Sequence, residues 1–194
     1  LFKGPLVATS ANVSGEPIIT DCDELIRHLS HVMDAIVDHN RPIINGCDDS
    51  VVQVIQPNMY LPAEVQVLRL ARGYAPLSFP LDTPLTQSIL AVGAQQKNAI
   101  ALGFGNNVFL SPHIGDLFSV SAEHYFERTL ATFARLYHFA PNLIVRDKHP
   151  DYAPSRWAEM HSNSNVELSD TCQCLTVQHH HAHVLSVMAV NQYR

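Results

Sequence analysis

Residues 174–192, CLTVQHHHAHVLSVMAVNQ, decide how the end of this chain folds. The first five letters are a short apolar and β-branched run, which predicts a strand. The letters from His179 onward predict a helix. His179 and His183 are four residues apart, so they face the same side of that helix. Two imidazoles on one side can converge on one ion, and this pair is therefore predicted to ligate a metal.

The start of a helix suits this role, because its positive dipole end disfavours imidazolium and neutral imidazole is the ligating form. His180 and His181 point elsewhere and could donate hydrogen bonds behind the ligands. A further ligand, a carboxylate, must come from another part of the protein. Two alternatives remain: the pair could serve capping or packing, and Cys172 and Cys174 with a histidine have the right ligand types for a zinc site.

Composition limits the function classes. The chain has 194 residues, 46% hydrophobic and 15% charged, which is typical of a globular protein. No run approaches the roughly 18 apolar residues of a membrane span. A net charge of −6 without a cluster of Lys or Arg disfavours direct nucleic-acid binding. Four cysteines without a secretory signal indicate reduced thiols and a cytoplasmic location.

The second half of the chain alternates strands and helices. Residues 88–112 predict three strands with tight turns, with a hairpin turn at Gly105–Asn107. Residues 122–138 predict a helix, and residues 142–147 another strand. The predicted buried stripe of that helix consists of Phe126, Leu130, Phe133 and Leu136 or Tyr137. Strands that feed helices predict an α/β arrangement.

The first half opens with a short apolar strand that runs into a loop rich in Ser, Asn and Gly, GPLVATSANVSGEP, residues 4–17. A helix is predicted over residues 21–39, capped by Asp21 or Asp23. Three later segments suit strands: RPIING, SVVQVIQ and EVQVLRLARG. Pro76, Pro80 and Pro84 then predict a stiff, extended connector. The predicted division is residues 1–75, a linker over 76–87, and a second domain over 88–194.

The loop TSANVSG, residues 9–15, carries side chains that suit a phosphate or adenylate site. Ser10 and Asn12 can hydrogen-bond oxygens, and glycine lets the backbone approach a ligand closely. A turn whose side chains only satisfy its own backbone is the simpler interpretation of such a loop.

The exact strings are more specific than their chemistry. TSANVSGEP resembles the TSAN-x-SG loop of the YrdC family, whose members form carbamoyl-adenylates. CDDSVVQVI and VLRLARG resemble the strands that end that domain. The succession RGYAP, ILAVGAQQKN, SPHIGDL, DKHPDY and VQHHHAH resembles the central region of the HypF carbamoyltransferases over essentially the whole chain.

This resemblance implies an internal fragment with two incomplete domains. The first is the C-terminal part of a YrdC-like α/β domain, and the second is the N-terminal part of a Kae-type, actin/Hsp70-like ATPase domain with the ribonuclease H-like fold. The residues implied to contact the nucleotide are Ser10, Asn12, Thr20, Ser50 and Arg69, with Arg72 as the alternative arginine. His179 and His183 become metal ligands, whose carboxylate partners lie beyond Arg194. For either arginine, an ordinary surface charge remains the alternative.

The resemblance also implies a reaction. The complete enzyme uses carbamoyl phosphate and ATP, forms carbamoyl-adenylate, and passes the carbamoyl group to the C-terminal cysteine of a HypE-type protein during maturation of nickel–iron hydrogenase. ATP and a divalent metal (zinc, iron or magnesium) are the expected cofactors. The isolated chain is expected to be inactive. The alternatives are an enzyme of transfer-RNA threonylcarbamoylation and a non-catalytic module that binds metal or nucleotide.

Two departures remove positive charge near the predicted phosphate route: Leu70 follows Arg69 where two basic residues are usual, and Gln53 stands where Arg is common. Two further groups are open to a functional or a structural interpretation. Lys97, Asn98 and Asp116 either face a nucleotide or are exposed turn residues. Asp147, His149 and Asp151 form either a site after a strand or a hydrogen-bond network.

Overall fold

A hairpin near the middle of the chain forms the centre of the larger of the two sheets found among the described residues. The computed structural model describes residues 3–56, 58–163 and 172–191. In chain order, the elements are α1 (Cys22–Leu29), β1 (Val51–Ile55), β2 (Glu64–Arg69), β3 (Leu77–Pro80), β4 (Ile89–Ala91), β5 (Ala101–Phe104), β6 (Asn107–Leu110), α2 (Val120–Tyr137), β7 (Leu143–Asp147), α3 (Ala153–Asn163), β8 (Gln173–Val177) and α4 (His179–Val190). A short 3₁₀ turn, Ser30–Val32, follows α1.

The larger sheet has six strands in the order β3-β6-β5-β4-β7-β8. The pairs β3–β6, β6–β5 and β5–β4 are antiparallel, whereas the pairs β4–β7 and β7–β8 are parallel. Gly105, with φ of 55°, closes the β5–β6 hairpin at the predicted turn. The mixed α/β architecture and the predicted strands β4 to β8 are confirmed.

Helix α2 supplies much of the core of this sheet. Ser119 caps its start by accepting a hydrogen bond from the Ala122 amide. Phe126, Leu130 and Phe133 are buried, as predicted. The last position of the predicted stripe is Tyr137, which packs against the core, and not Leu136. No helix in the described part of the chain is long and apolar enough to cross a membrane.

Helix α3 was not predicted from the sequence. Ala153, Pro154 and Ala158 are buried, and Trp157 meets the Phe126 ring edge-on at 5.9 Å between centroids. These residues are small or widely spaced, so their hydrophobic pattern is weak. Pro154 was the available signal, since proline is tolerated in the first turn of a helix.

The Pro-rich segment is more than a connector. Within residues 76–87, β3 pairs antiparallel with β6, from Leu77 opposite Leu110 to Pro80 opposite Asn107. Strand β3 lies at the edge of the sheet, where a proline without an N–H group is tolerated. Part of the predicted linker therefore belongs to the second sheet.

The first half contains a two-stranded antiparallel ribbon, β1–β2, in which both predicted strands are confirmed. Residues 4–9 and 41–46 were predicted as strands, but the structure shows no strand there. An extended segment forms a strand only when it pairs with another one. Among the described residues, neither segment pairs with the ribbon or with the larger sheet.

Helix α1 begins as predicted and ends early. The Asp21 carboxylate accepts a hydrogen bond of 2.8 Å from the Glu24 amide, which confirms the first of the two predicted caps. The helix ends at Leu29 and not near residue 39. None of its eight residues is buried, so no packed apolar face extends the helix.

Candidate functional site

The TSANVSG loop is shaped by Asn12. Its Nδ2 donates hydrogen bonds to the carbonyl oxygens of Val13 (3.1 Å) and Glu16 (2.9 Å), and its Oδ1 accepts one from the Ser10 hydroxyl. These bonds are the self-satisfied turn that the sequence also allowed. They hold Ser10 and Asn12 on the same side of the loop.

A polar cavity of about 650 Å³ opens beside this loop. Ser10 and Asn12 line one wall, and Cys47, Arg69 and Arg72 line another. The structure therefore brings both candidate arginines to the same cavity as the TSANVSG loop, where the sequence left a choice between them. We call this space the first cavity.

Carbonyl oxygens orient both guanidinium groups. Arg69 Nε donates to the carbonyl oxygen of Asp49 (3.0 Å), and Arg72 Nη2 donates to that of Cys47 (3.0 Å). Arg72 also lies 3.8 Å from the exposed Asp49 carboxylate, an ion pair that solvent weakens. Burial raises the pKa of the Cys47 thiol, and the nearby Arg72 charge partly opposes this, so Cys47 is mainly a neutral wall residue.

Two of the predicted nucleotide contacts do not line the first cavity. Ser50 accepts a hydrogen bond from the Ala71 amide (2.8 Å) and donates one to the Arg72 carbonyl oxygen (2.9 Å). This serine therefore joins the start of β1 to the segment that carries Arg72. Thr20 lies beside Gly46, where a Cβ built on the glycine would come within 3.5 Å of the threonine methyl. Neither side chain lines the first cavity in this structure, and Ser50 supports its wall through the Arg72 backbone.

The histidine pair lies at the carboxyl ends of two parallel strands. Asp147 ends β7, and His179 begins α4 directly after β8. Asp147 Oδ2 is 2.7 Å from His179 Nδ1, and the Asp147 side chain is only 7% exposed. A carboxylate can only accept here, so Nδ1 of His179 carries the proton and its Nε2 presents a lone pair.

That lone pair points toward the second histidine. Nε2 of His183 lies 3.1 Å from Nε2 of His179. Two imidazole nitrogens bound to one ion at about 2.0–2.1 Å lie about 2.8–3.4 Å apart for ligand angles between about 90° and 109°. The observed separation fits that range, and Asp147 supplies the carboxylate that usually orients a ligating histidine. The pair therefore fits a divalent metal. Without a metal, a proton on His183 Nε2 lies between the two nitrogens as a hydrogen bond.

A second cavity, of about 570 Å³, surrounds this pair. Lys97 and Asn98 from the β4–β5 turn line it together with His179 and His183. Asp116 lies behind Lys97: its Oδ1 accepts the Lys97 amide at 2.8 Å, and its Oδ2 is 3.7 Å from Nζ.

Asn98 differs from an exposed turn residue. It is 1% exposed, and its Nδ2 donates to the carbonyl oxygens of Val92 (3.0 Å) and Ala94 (2.7 Å). These bonds close the turn around Gly93, where an added Cβ would lie 2.6 Å from the Ala99 carbonyl oxygen. The interpretation as an exposed turn residue is therefore wrong for Asn98.

Asp147, His149 and Asp151 form the hydrogen-bond network that the sequence allowed. Asp147 Oδ1 accepts the His149 amide at 2.8 Å, and His149 Nδ1 accepts the Asp151 amide at 3.2 Å. The His149 ring stacks on Tyr152 at 4.2 Å. The contact of Asp147 with His179 was missed, because the pairing of β7 with β8 that creates it is a long-range feature.

The alternative cysteine site does not form among the described residues. Cys172 packs partly against the core, whereas Cys174 is exposed. Residues 3–56, 58–163 and 172–191 contain no group of three or more His, Cys, Asp or Glu side chains arranged to hold a metal ion. The two histidines would therefore need a further ligand from outside these residues.

Two protein-family models together match most of this chain. Residues 84–190 match the family model described as the HypF Kae1-like domain, and residues 1–70 match the Sua5/YciO/YrdC model, described as telomere recombination. Carbamoyltransferase HypF of Synechocystis sp. is 40% identical over 188 residues, which cover 97% of this chain and 23% of that protein. Carbamoyltransferase HypF2 of Cupriavidus necator is 38% identical over 95% of this chain and 22% of its own length.

Solved structures agree. Full-length HypF in its phosphate- and nucleotide-bound form superposes with a TM-score of 0.79 at 34% identity, over 95% of this chain and 27% of that one. The T. kodakarensis HypF structure gives a TM-score of 0.80 at 32% identity, over 95% and 22%. The chain thus spans about a quarter of the length of these proteins. It belongs to the HypF family of carbamoyltransferases.

Proposed function

We propose that this chain supplies parts of two consecutive sites in an ATP-dependent carbamoyltransferase. In the first site, carbamate from carbamoyl phosphate reacts with ATP to give carbamoyl-adenylate and pyrophosphate. In the second site, the C-terminal cysteine sulfur of a HypE-type protein attacks the carbamoyl carbon, and AMP leaves. The relatives' names support the transferase class. Because the chain spans about a quarter of them, the reaction belongs to the whole protein.

The first cavity supports nucleotide binding. Two guanidinium groups, Arg69 and Arg72, border the same space as the Ser10 and Asn12 side chains. Planar guanidinium groups bind phosphate oxygens through paired hydrogen bonds, which a single ammonium cannot match. The Ser10 and Asn12 side chains bond within their own loop, so they fix the shape of this wall while the guanidinium groups supply the charge for the phosphates. We assign ATP and the carbamoyl-adenylate to this cavity.

The histidine pair supports a metal at the second site. His179 and His183 would hold the ion, and Asp147 would keep His179 in the ligating tautomer. When bound, the metal orients phosphate oxygens and offsets their charge as a Lewis acid. Imidazole nitrogen favours zinc or iron over magnesium, which prefers oxygen ligands. Lys97, which lines the same cavity, adds a positive charge for the nucleotide phosphates.

A third cavity, of about 460 Å³, supports transfer between the two sites. It shares Arg69 with the first cavity, and Lys97 and Ala99 with the second. His113 also lines it, and burial lowers the pKa of this imidazole, so it is neutral at pH 7. A protected route matters because carbamoyl intermediates hydrolyse in bulk water.

The single observation that carries this proposal is the convergence of the His179 and His183 Nε2 atoms, 3.1 Å apart, in front of a buried carboxylate. The test is calorimetric titration of the chain with Zn²⁺ and with Fe²⁺. We expect His183→Ala to lower metal affinity at least about 100-fold, because one of two described ligands is lost. His181→Ala, a neighbour on the same helix, is the matched control and should stay within about twofold.

ATP titration completes the test. Binding by the wild-type chain that Arg69→Ala weakens supports the enzyme fragment. Metal binding that depends on His183, without any ATP binding, would instead support the non-catalytic metal-binding module. Equal loss of metal affinity in His183→Ala and His181→Ala would contradict the metal assignment.

A further inference from the structure

Both walls of the first cavity contact helix α2, which belongs to the other half of the chain. The first contact starts at Glu16, whose carbonyl oxygen accepts the Asn12 side-chain amide at 2.9 Å. Glu16 Oε2 accepts a hydrogen bond of 2.7 Å from the Ser119 hydroxyl, the cap of α2. The same hydroxyl accepts the Ala122 amide at 3.1 Å. A carboxylate at the start of a helix is also favoured by the helix dipole.

The second contact holds the opposite wall. Tyr125, in the second turn of α2, donates a hydrogen bond of 2.6 Å to the carbonyl oxygen of Gly46. Gly46 directly precedes Cys47, Asp48 and Asp49, all of which line the first cavity. Tyr125 is 7% exposed, so its hydroxyl is shielded from competing water. Burial raises its pKa to about 12, which keeps the hydroxyl protonated and donating.

Helix α2 is a rigid support for both contacts. Phe126, Leu130 and Phe133 anchor it in the core of the six-stranded sheet. By contrast, no residue of the TSANVSG loop or of the segment from Cys47 to Asp49 is buried, although Arg69 and Arg72 bond to the backbone of that segment. The two walls are therefore positioned by the other half of the chain as well as by their own backbone.

We propose that Glu16 and Tyr125 are positioning residues for the nucleotide: together they set the separation of the TSANVSG loop from the Gly46–Asp49 wall. This inference rests on the proposed function, in which the first cavity binds ATP. Tyr125 lies outside the first cavity, and Glu16, which borders it, acts through its bond with Ser119 and not on the nucleotide itself. Each lowers the entropic cost of ordering the cavity when ATP enters. By reciprocity, bound ATP strengthens the junction between the two halves.

The first experiment compares ATP affinity by calorimetry in the 194-residue chain. Tyr125→Phe leaves the Gly46 carbonyl oxygen without its buried donor and should weaken ATP binding by about tenfold. Tyr137→Phe is the matched control, because it makes the same change on the same helix within the aromatic cluster around Phe104 and Phe109. It should leave ATP affinity within about twofold. Zn²⁺ affinity should not change in either variant, since the histidine pair lies elsewhere.

The role of Glu16 can be tested by asking whether a conservative substitution restores ATP affinity. Glu16→Ala removes the acceptor for Ser119 and should weaken ATP binding several-fold, by roughly the worth of one hydrogen bond to a charged group. Glu16→Gln keeps an acceptor oxygen and should recover most of that affinity. A merely electrostatic effect of the carboxylate would leave Glu16→Gln as weak as Glu16→Ala, which would overturn the positioning role of Glu16.

A second readout does not depend on ATP. Cys47 follows Gly46 directly and is partly buried, so its alkylation rate reports how firmly that wall is held. Tyr125→Phe should speed iodoacetamide labelling of Cys47 several-fold, measured by peptide mass spectrometry against the exposed Cys174 in the same chain.

The outcomes separate the two claims. If the wild-type chain binds ATP but Tyr125→Phe changes neither ATP affinity nor Cys47 labelling, the positioning role is wrong and the proposed function stands. If the wild-type chain binds no ATP, the proposed nucleotide site and the positioning role that rests on it are both contradicted. Cys47 labelling then still shows whether Tyr125 holds this wall.

Discussion

The two halves of this chain are built in different ways. In the second half, buried apolar residues run from Leu90 to Ala158 and form one core cluster. In the first half, Ala71 is the only apolar residue described before position 76 that is fully buried. The strands of the β1–β2 ribbon are exposed almost throughout. One half is held by packing, and the other by hydrogen bonds and by its contacts with α2.

This difference assigns separate tasks to the halves. The second half carries Asp147 at a strand end and the histidine pair at the start of α4, a helix with no buried residue that is joined to the sheet through β8. The other half carries its candidate nucleotide contacts on loops whose walls are tied to α2. Stability should therefore respond mainly to changes in the second half, whereas nucleotide affinity should respond to changes at the junction.

The largest expected effect is on the core. Phe126→Ala should lower the free energy of unfolding by about 3–5 kcal/mol, because it leaves a cavity between α2 and Trp157. Val54→Ala, in the exposed ribbon, should cost less than about 1 kcal/mol. Urea denaturation followed by circular dichroism measures both. Similar losses in the two variants would show that the ribbon is as well packed as the core, so that the two halves are stabilised in the same way.

The second-largest expected effect is a loss of stability on substitution in the turn between β4 and β5. Gly93 has φ of 73°, and an added Cβ would lie 2.6 Å from the Ala99 carbonyl oxygen. Gly93→Ala should therefore cost more than about 2 kcal/mol, from steric overlap added to left-handed strain. Gly105 also has positive φ, at 55°, but nothing lies within 4 Å of its added Cβ. Gly105→Ala should cost only about 1 kcal/mol in the same assay. Equal losses of unfolding free energy in the two variants would mean that the backbone around Gly93 can shift to accommodate a Cβ atom.

The carboxylate behind the histidine pair gives a binding effect without a large loss of stability. Asp147→Asn should lower Zn²⁺ affinity by about 10- to 100-fold, because an amide can present its NH₂ group to Nδ1 of His179 and favour the other tautomer. Asp151→Asn, in the same network, should change affinity by less than about threefold, since the network uses its backbone amide. Equilibrium dialysis measures both. An unchanged affinity in Asp147→Asn would remove Asp147 from the metal site.

The smallest effect concerns pH at the junction. The pKa of Tyr125 is raised to about 12 in the folded chain, whereas an unfolded tyrosine titrates near pH 10. Its contribution to stability is therefore fully present below about pH 10 and is lost as pH rises toward about 12. Tyr125→Phe should flatten the stability profile in that window, as followed by denaturation between pH 9 and 11.5. A slope identical to wild type would show that Tyr125 is not buried at the junction.

Local patterns predicted the second half well. The hairpin turn at Gly105, the buried stripe of α2 and the strand–helix unit that carries the histidines follow from spacing and turn chemistry. The hydrophobic spacing did not predict α3, because the buried face of this helix consists of small residues and one proline. It also failed for β3, because edge pairing with β6 depends on a partner about thirty positions away.

The first half was harder to predict because it lacks a packed core. The helix predicted to residue 39 ends at Leu29, where the Ser30 amide closes the last turn on the Ile26 carbonyl oxygen and a 3₁₀ turn follows. The side chains of the candidate site divide in the same way. Ser10, Asn12 and the arginines meet at one cavity, whereas Ser50 is used to join two backbone segments. The role of Asp147 behind His179 required the β7–β8 pairing, which spacing along the chain does not reveal.

X-ray absorption spectroscopy of the zinc-loaded chain tests the metal assignment most directly. We expect a coordination sphere that includes two imidazole nitrogens at about 2.0–2.1 Å, and their loss in the double variant His179→Ala, His183→Ala. A shell dominated by sulfur at about 2.3 Å would place the metal on Cys172 and Cys174 and would contradict the account.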